Sequence, residues 1–232
     1  MRSFAISDIH GCAHTFQALL DTIALSKGDT LYLLGDYVDR GPDSRGVVDM
    51  IMWMQANEYQ VHCLRGNHEE LVTQAFSTGE VKESWMRVEG EDTFRSFGVE
   101  NPQELAPAYR QFFQALHNMI EAEGFILVHA GLNFERLDPF EDQQAMRWLR
   151  HWHKQIRYDW LAGRIILHGH TPVSRGEISR NLALIETQQW LDIDAGCVFA
   201  HKFPALNANT LGHLCAFDMH NRRLFFEKNR EG

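Results

Sequence analysis

Five short apolar runs recur along the chain, and each is followed at once by a polar, glycine-containing segment. The runs are Phe4–Ile6, Leu31–Leu34, Val61–Leu64, Phe125–Val128 and Arg164–Leu167. Runs this short and this apolar are typical of strands that are buried on both faces, and the polar segments are typical of loops at strand ends. The pattern therefore predicts five core strands that each end in a loop.

Helical spacing of apolar residues falls between several of these runs. Helices are predicted over Thr15–Leu25, Ser44–Asn57 and Pro107–Glu123. After Thr171 the pattern changes to short runs, which predict antiparallel strands that complete a second sheet. These late runs are Leu182–Ile185, Trp190–Ile193, His213–Phe217 and Arg223–Phe226.

Strands that alternate with helices indicate an α/β fold, in which sites gather at the carboxyl ends of the strands. We expect one domain over residues 1–232. The polar and acidic stretch 76–107 is a candidate lid insertion within it, either helical and over the site or a surface loop with its aromatic side chains turned inward. Its aromatic residues are Trp85, Phe94 and Phe97.

Composition narrows the class of protein further. A net charge of −9 argues against a nucleic-acid backbone as the partner, because such proteins carry a basic face. The four cysteines form no CxxC pair, which fits a reducing compartment. The amino-terminal residues do not resemble a signal peptide, and no apolar run is long enough to span a membrane. We therefore expect a cytoplasmic protein with no membrane partner.

Oxygen and imidazole donors follow the five apolar runs. They are Asp8, His10, Asp36, Asn67, His129 and His170. Each residue alone is weak evidence of a metal site, since an Asp after a strand often caps a helix. Their coincidence in five loops is stronger evidence. The mixture predicts two divalent metal ions, manganese first, with iron or zinc as alternatives. Asp36 is the candidate for a carboxylate that bridges both ions.

Two blocks of consecutive residues indicate a protein family more specifically than any single residue does. Gly35–Gly41 reads GDYVDRG and Leu64–Glu69 reads LRGNHE. They resemble the phosphoprotein phosphatase branch of the calcineurin-like metallophosphoesterases, and the resemblance extends from Phe4 to Thr171. It implies a central β-sandwich flanked by helices, with a small helical insertion. It also implies that phosphomonoesters are hydrolysed by direct attack of a metal-bound hydroxide.

The resemblance also assigns roles to residues. Asp8, His10 and Asp36 would hold one metal, and Asp36, Asn67, His129 and His170 the other. His68 would protonate the leaving group, oriented by Asp39. Asn67 and the guanidinium groups of Arg40, Arg65 and Arg150 would bind the substrate phosphate, with Arg147 and Arg157 as competitors for the place of Arg150. Glu69 is expected to cap or orient, and His168 to be structural.

One segment departs from the family pattern. Bacterial relatives often have a Trp followed by an Asn-Gly-Gly turn, whereas here acidic residues replace part of that turn within Trp85–Thr93. The geometry of the insertion is therefore open.

Three functions remain after this reasoning. The first is a serine/threonine protein phosphatase, which would act on a phosphoprotein. The second is a hydrolase of dinucleoside tetraphosphates or other small phosphorylated substrates, in which Trp85, Phe94 and Phe97 could receive a nucleobase. The third is a catalytically weak phospho-binding protein, against which the proton donor His68 and its partner Asp39 argue. The sequence makes no prediction of the oligomeric state.

Overall fold

The strands define the core of the computed structural model, which describes residues 2–79, 82–202 and 211–231. The five predicted core strands are all present. In chain order the strands are β1 (Ser3–Ile6), β2 (Thr30–Leu33), β3 (Gln60–Cys63), β4 (Met119–Ala122), β5 (Phe125–Val128), β6 (Ile165–His168), β7 (Trp190–Asp192), β8 (His213–Asp218) and β9 (Arg223–Lys228).

These strands form two sheets. The first has the order β3-β2-β1-β8-β9 and the second the order β4-β5-β6-β7. Strands β1, β2 and β3 are parallel to one another, as are β5, β6 and β7. Strand β8 pairs antiparallel with β1 and β9, and β4 pairs antiparallel with β5. In each sheet, the loops that follow the parallel strands therefore leave from one edge.

Successive side chains of a strand point to opposite faces of its sheet, and this alternation explains how the two sheets pack face to face. Ala5 and Tyr32 of the first sheet share a buried cluster with Phe125 and Leu127 of the second. Their chain neighbours point the other way, as the pleat requires, so Phe4 and Ile6 join a different cluster with helical residues. Strands buried on both faces read as continuous apolar runs, which is the signal that the sequence carries.

Helices cover the outer faces of the sandwich. Residues of α1 and α2 pack on the first sheet, and the segment between β5 and β6 packs on the second. The helices are α1 (Ala13–Thr22), α2 (Ser44–Ala56), α3 (Asn67–Thr78), α4 (Glu83–Trp85), α5 (Glu91–Ser96), α6 (Pro107–Ala115), α7 (Gln143–Trp148), α8 (Tyr158–Leu161), α9 (Arg175–Ala183), α10 (Ile185–Gln188) and α11 (Phe199–Lys202). No helix among the described residues has the length and apolar character needed to cross a bilayer.

The predicted helix over Pro107–Glu123 is too long. Helix α6 ends at Ala115, and Leu116 takes an extended conformation. The chain then bonds to β3 and its following loop, where the amide of His117 donates to Cys63 O at 3.1 Å and Arg65 N donates to His117 O at 2.7 Å. These tertiary hydrogen bonds override the helical spacing, and β4 follows directly.

Two predictions for the carboxyl-terminal part are also wrong. Leu182–Ile185 is not a strand. A capping box between Ser174 and Glu177 starts α9, which continues to Ala183, and after a turn at Leu184 helix α10 begins at Ile185. The late strands do not all complete the second sheet: β7 joins it in parallel, whereas β8 and β9 extend the first sheet beside β1.

The stretch 76–107 combines both of its predicted alternatives in the part that the structure describes. It holds α4, a π-helical turn at Met86–Gly90, α5 and a 3-10 turn at Pro102–Glu104. Its aromatic rings are turned inward, with Trp85, Phe94 and Phe97 at most 6% exposed.

Candidate active site

The predicted donors follow the parallel strands: Asn67 begins helix α3, and the others lie on loops. Several of these residues have a positive φ, which costs energy for any residue with a Cβ and clusters at functional sites. The angles are 54° at Asp8, 46° at His10, 55° at Asp36, 68° at Asp39, 68° at Arg40 and 73° at His170. Such bends allow a loop to turn sharply after its strand and aim its polar side chains at one place.

The carboxylate of Asp36 lies at the centre of the donors. Its Oδ2 is 3.5 Å from His10 Nε2 and 3.3 Å from His129 Nε2, and these two imidazoles belong to the two different predicted metal sites. Its Oδ1 accepts a hydrogen bond from the amide of His68 at 3.2 Å. One carboxylate therefore faces ligands of both predicted metal sites, which is the geometry that a bridging carboxylate needs.

The imidazoles of this site are fixed in orientation by backbone carbonyls. His10 Nδ1 donates to Val38 O at 2.8 Å, and His129 Nδ1 donates to Leu34 O at 2.9 Å. Each ring then turns its Nε2 toward Asp36. Such a bond on the distal nitrogen is the usual arrangement for a histidine that binds a metal.

The predicted ligands of the second metal site lie around His129. Its Nε2 lies 3.1 Å from Asn67 Oδ1 and 3.2 Å from His170 Nδ1. Asp8 approaches from the first loop, and its Oδ2 accepts from the amide of His170 at 3.1 Å. This approach requires glycine at position 169, because a Cβ there would lie 2.1 Å from Asp8 Oδ2.

The ionisation of these groups shows how crowded the charges are. Burial lowers the pKa of His129, but the carboxylates of Asp36 and Asp8 outweigh burial and raise it to about 9. Burial and then the neighbouring His129 lower the pKa of His170 to about 2, and burial with Arg40 depresses the pKa of His10. Burial raises the pKa of Asp8.

Two observations test whether this donor set fits metal ions. The predicted ligands are nearly all fully buried, and a buried carboxylate is costly without a cation beside it. In addition, His170 Nε2 is a buried nitrogen without a hydrogen-bond partner in the described part of the chain. Carboxylate, amide and imidazole donors in one cluster suit Mn, Fe or Zn. The residues therefore fit divalent ions, and the ligand assigned to each ion stays a prediction.

His68 and Asp39 form the predicted pair. His68 Nδ1 donates to Asp39 Oδ2 at 2.5 Å. Burial lowers the pKa of His68, but the carboxylates of Asp36 and Asp39 outweigh it, so the pKa is raised. Asp39 is itself held by the insertion, since it accepts hydrogen bonds from Trp85 Nε1 at 2.6 Å and from the hydroxyl of Thr93.

Arg40 lies over both halves of the site. Its Nη1 donates to His10 Nε2 at 2.9 Å, and its Nη2 lies 3.0 Å from His68 Nε2. Its Nε donates to Glu89 Oε1 at 3.2 Å, so the insertion holds this guanidinium as well. The prediction placed Arg40 near the phosphate, and the structure brings it to the donor cluster.

The other arginines divide into two groups. Arg150 is exposed and lines the cavity over the site. Arg147 instead pairs with Glu70 at 2.8 Å, and Arg157 donates to the carbonyl of Leu137. Arg65 donates from Nη2 to the carbonyls of Phe113 and Gln114, each at 3.1 Å, and does not line the cavity. The structure therefore brings Arg40 and Arg150 to the site and turns Arg65 away from it.

Glu69 acts as the scaffold of two loops. Its Oε2 accepts from the amides of Asp36 at 2.8 Å and Gly66 at 2.9 Å, and its Oε1 accepts from Tyr37 N at 2.8 Å. This agrees with its predicted capping and orienting role. His168 donates to Gly169 O at 3.1 Å and contacts His153, so it lies behind the site as expected.

A cavity of about 390 Å³ opens over the donor cluster. Its lining combines charged, polar and apolar side chains, and the insertion supplies much of the wall. It is lined by Arg40, Asn67, His68, Leu71, Lys82, Ser84, Trp85, Val88, Glu89, Trp148, Arg150 and His170.

Sequence reasoning missed three residues of this cavity. The sequence shows Glu89 only as one of the acidic residues within Trp85–Thr93, and its motifs assign no role to Val88 or Trp148. A helical interpretation of Trp85–Thr93 would have placed Glu89 four residues after Trp85, on the same helix face. Of the three rings predicted to receive a nucleobase, Phe94 and Phe97 are buried and do not line the cavity, whereas Trp85 lines it but is only 6% exposed.

Curated relatives are dinucleoside tetraphosphatases. A symmetrical bis(5'-nucleosyl)-tetraphosphatase from Methylobacillus flagellatus is 30% identical over 75% of this chain and 57% of its own length. An asymmetrical bis(5'-nucleosyl)-tetraphosphatase, PrpE from Oceanobacillus iheyensis, is 24% identical over 88% of both chains. The chain thus spans only about half the length of the symmetrical relatives, with 57% and 44% for two of them.

Solved structures share the fold over the whole chain. A protein described as a candidate diadenosine tetraphosphatase has a TM-score of 0.68 at 19% identity, covering 100% of this chain and 95% of that one. A serine/threonine protein phosphatase from Saccharomyces cerevisiae has a TM-score of 0.67 at 14% identity, covering 99% and 79%. At these identities the similarity establishes the fold and nothing more.

The family follows from a match to the sequence itself. The model of the calcineurin-like phosphoesterases matches residues 1–202, which is most of the chain. The metallophosphoesterase fold predicted from the sequence is confirmed by the same match and by the structural neighbours. The chain therefore belongs to the calcineurin-like phosphoesterase family of metal-dependent hydrolases.

Proposed function

We propose that this chain hydrolyses dinucleoside tetraphosphates by cleaving a phosphoanhydride bond in their bridge. The observation that carries the proposal is the pair of curated relatives, a symmetrical and an asymmetrical tetraphosphatase, which align with 75% and 88% of the chain. The similarity to the serine/threonine protein phosphatase, the first prediction from the sequence, is a shared fold at 14% identity. The sequence similarity therefore favours the small-molecule alternative.

In this proposal two divalent ions are held as the donor geometry suggests. Asp8, His10 and Asp36 would hold one ion, and Asp36, Asn67, His129 and His170 the other. When bound, such ions lower the pKa of water enough to supply a nucleophile near neutral pH and offset charge on phosphoryl oxygens. Manganese is the first choice, with iron or zinc as alternatives.

The side chains of the chain then bind and orient the tetraphosphate. Arg40 lies directly over the donors and Arg150 lies at the rim of the same cavity, so both can contact phosphoryl oxygens with forked, charge-assisted hydrogen bonds. His68, held by Asp39 at 2.5 Å, turns its Nε2 toward the cavity side occupied by Arg40. From there it can donate a proton to the departing oxygen.

The insertion would act as a lid within a single domain. Residues 76–107 supply Lys82, Ser84, Val88 and Glu89 to the cavity wall, and they also supply the hydrogen bonds that hold Asp39. A metal core recognises phosphate, so the discrimination between attached groups falls to this variable wall.

A substrate panel tests the proposal. The purified chain is loaded with Mn²⁺ and assayed on diadenosine tetraphosphate and on a phosphoserine peptide, and nucleotide products are resolved by ion exchange. We expect kcat/KM to be at least about tenfold higher on the tetraphosphate, a difference of about 1.4 kcal/mol in transition-state stabilisation. Two ADP would indicate symmetrical cleavage, and AMP with ATP asymmetrical cleavage.

Two outcomes would overturn the proposal. Preferred turnover of the peptide would restore the protein phosphatase hypothesis. Tight binding of both substrates without turnover, with metals retained, would favour the phospho-binding protein. Asp36→Asn serves as the control for contaminating hydrolases, since it should lose activity on every substrate.

A further inference from the structure

Trp148 presents an aromatic ring at the wall of the active-site cavity. It ends helix α7 and is only partly buried. Its Nε1 donates to Glu70 Oε2 at 2.5 Å, and Glu70 is itself held by Arg147 at 2.8 Å. The indole is thus anchored by its polar edge, which fixes the orientation of the ring and leaves apolar surface for the cavity.

Val88 supplies a second apolar surface to the same cavity. It lies in the π-helical turn Met86–Gly90 of the insertion, and it is 64% exposed. An exposed valine beside a buried, charged site contributes nothing to the core, and it adds apolar area at a place where phosphate binding would need polar groups. Leu71 of α3 is a further apolar residue in the lining of this cavity, which also contains Arg40 and His68.

A cation lies over the ring of Trp148. The Nζ of Lys82 is 5.9 Å from the ring centroid, in a cation–π contact, and Lys82 is exposed. A nucleobase that stacked on this face would displace the ammonium group, and the flexible lysine would then be close enough to donate to the edge of the base. Nucleobases combine a flat π face with acceptor atoms on the edge, and base stacking on aromatic side chains tolerates any base.

We propose that Trp148, Val88 and Lys82 form a subsite for one nucleobase of the substrate, with Trp148 stacking on the base and Val88 packing against its other face. This inference rests on the proposed function and adds the part of the substrate that lies beyond the phosphates. Arg40 and Arg150, the candidate phosphate-binding residues, line the same cavity, so a base in this subsite and the phosphates attached to it would share one cavity.

The experiment compares steady-state constants on diadenosine tetraphosphate for four variants. Trp148→Ala should raise KM about tenfold, within the range that loss of one base stack produces, and should change kcat less than KM. Trp148→Phe should recover much of the affinity, because it keeps an aromatic face. Val88→Ser, at an exposed position that does not endanger folding, should raise KM about threefold. Trp53→Ala is the matched control, since Trp53 is 59% exposed and lies outside the cavity lining.

Product inhibition separates the base from the phosphates. In Trp148→Ala and Val88→Ser, inhibition by ADP should weaken in parallel with KM, whereas inhibition by inorganic pyrophosphate should not change. The subsite is refuted if wild type cleaves the tetraphosphate while KM and ADP inhibition are the same in both variants. Failure of the wild type to cleave the tetraphosphate, with turnover of the phosphopeptide, would refute the proposed function and the subsite together.

Discussion

Glu89 accepts a hydrogen bond from Arg40 Nε at 3.2 Å, and its other carboxylate oxygen lies 3.4 Å from Nδ1 of His68. The insertion therefore places a negative charge against the predicted phosphate-binding arginine and the predicted proton donor. Glu89 lies within Trp85–Thr93, the segment that is expected from the sequence to differ from the family pattern.

We predict that the negative charge of Glu89 weakens substrate binding, whereas its hydrogen bond to Arg40 supports catalysis. Glu89→Gln keeps an acceptor for Arg40 Nε but removes a negative charge near the bound phosphates, so KM for an anionic substrate should fall about threefold at low salt. Glu89→Ala removes the acceptor, so Arg40 loses its orientation and kcat/KM should fall. Kinetics at two salt concentrations measure both effects. Equal values of KM and kcat/KM for Glu89→Gln and Glu89→Ala would contradict the prediction that the charge and the hydrogen bond act differently.

A second prediction concerns the metal centre. Because Asp36 Oδ2 faces both His10 and His129, Asp36→Asn should weaken both ions, whereas His10→Ala should mainly weaken one. Elemental analysis after dialysis gives the metal content per chain, and thermal unfolding shows that each variant is folded. Two tightly bound ions and near-normal activity in Asp36→Asn would rule out the bridging role.

The two arginines of the family blocks should differ in what they affect. Arg40 lies over the donors, so Arg40→Ala should cost about 1.5–3 kcal/mol of transition-state stabilisation on every substrate. Arg65 donates to the carbonyls of Phe113 and Gln114, so Arg65→Ala should lower the free energy of unfolding by about 1 kcal/mol. Its kcat/KM should change less than that of Arg40→Ala. Urea unfolding and kinetics on the same preparations measure both effects. A larger loss of kcat/KM in Arg65→Ala than in Arg40→Ala would indicate that Arg65 binds the substrate phosphate.

The loops could be predicted from the sequence because their strands are buried on both faces. Phe4–Ile6 and Phe125–Val128 alternate between two cores, so every position is apolar and the polar residue that follows marks the strand end. The carboxyl ends of parallel strands meet at one edge of a sheet, which brings distant residues such as Asp8 and His170 together.

The insertion and the arginine directions could not be predicted in the same way. The positive φ angles at Asp39 and Arg40 are not encoded by glycine, so local preference gives no sign of the bend that aims these side chains. The spacing of apolar residues also cannot show that β4 follows α6, because the deciding hydrogen bonds join His117 to residues more than fifty positions away. Similarly, nothing in the LRGNHE block shows that Arg65 turns toward α6.

The last prediction tests the proton donor by varying the leaving group. His68 is held by Asp39 at 2.5 Å and should protonate the departing oxygen. A serine alkoxide depends strongly on that proton, so His68→Asn should reduce any turnover of a phosphoserine peptide by about 10²- to 10⁴-fold. A nucleoside phosphate is far less basic, so cleavage of diadenosine tetraphosphate should fall much less.

Asp39→Asn should give a milder version of the same pattern, because it disturbs the orientation of His68 without removing the imidazole. Metal content should stay near that of wild type in both variants, since neither residue is among the predicted ligands, and elemental analysis provides this control. A general loss of folding or metal would lower both rates together, so the ratio of the two rates is the quantity to measure. Equal losses on both substrates with metals retained would mean that His68 acts on the phosphoryl group or the attacking water, and not on the leaving group.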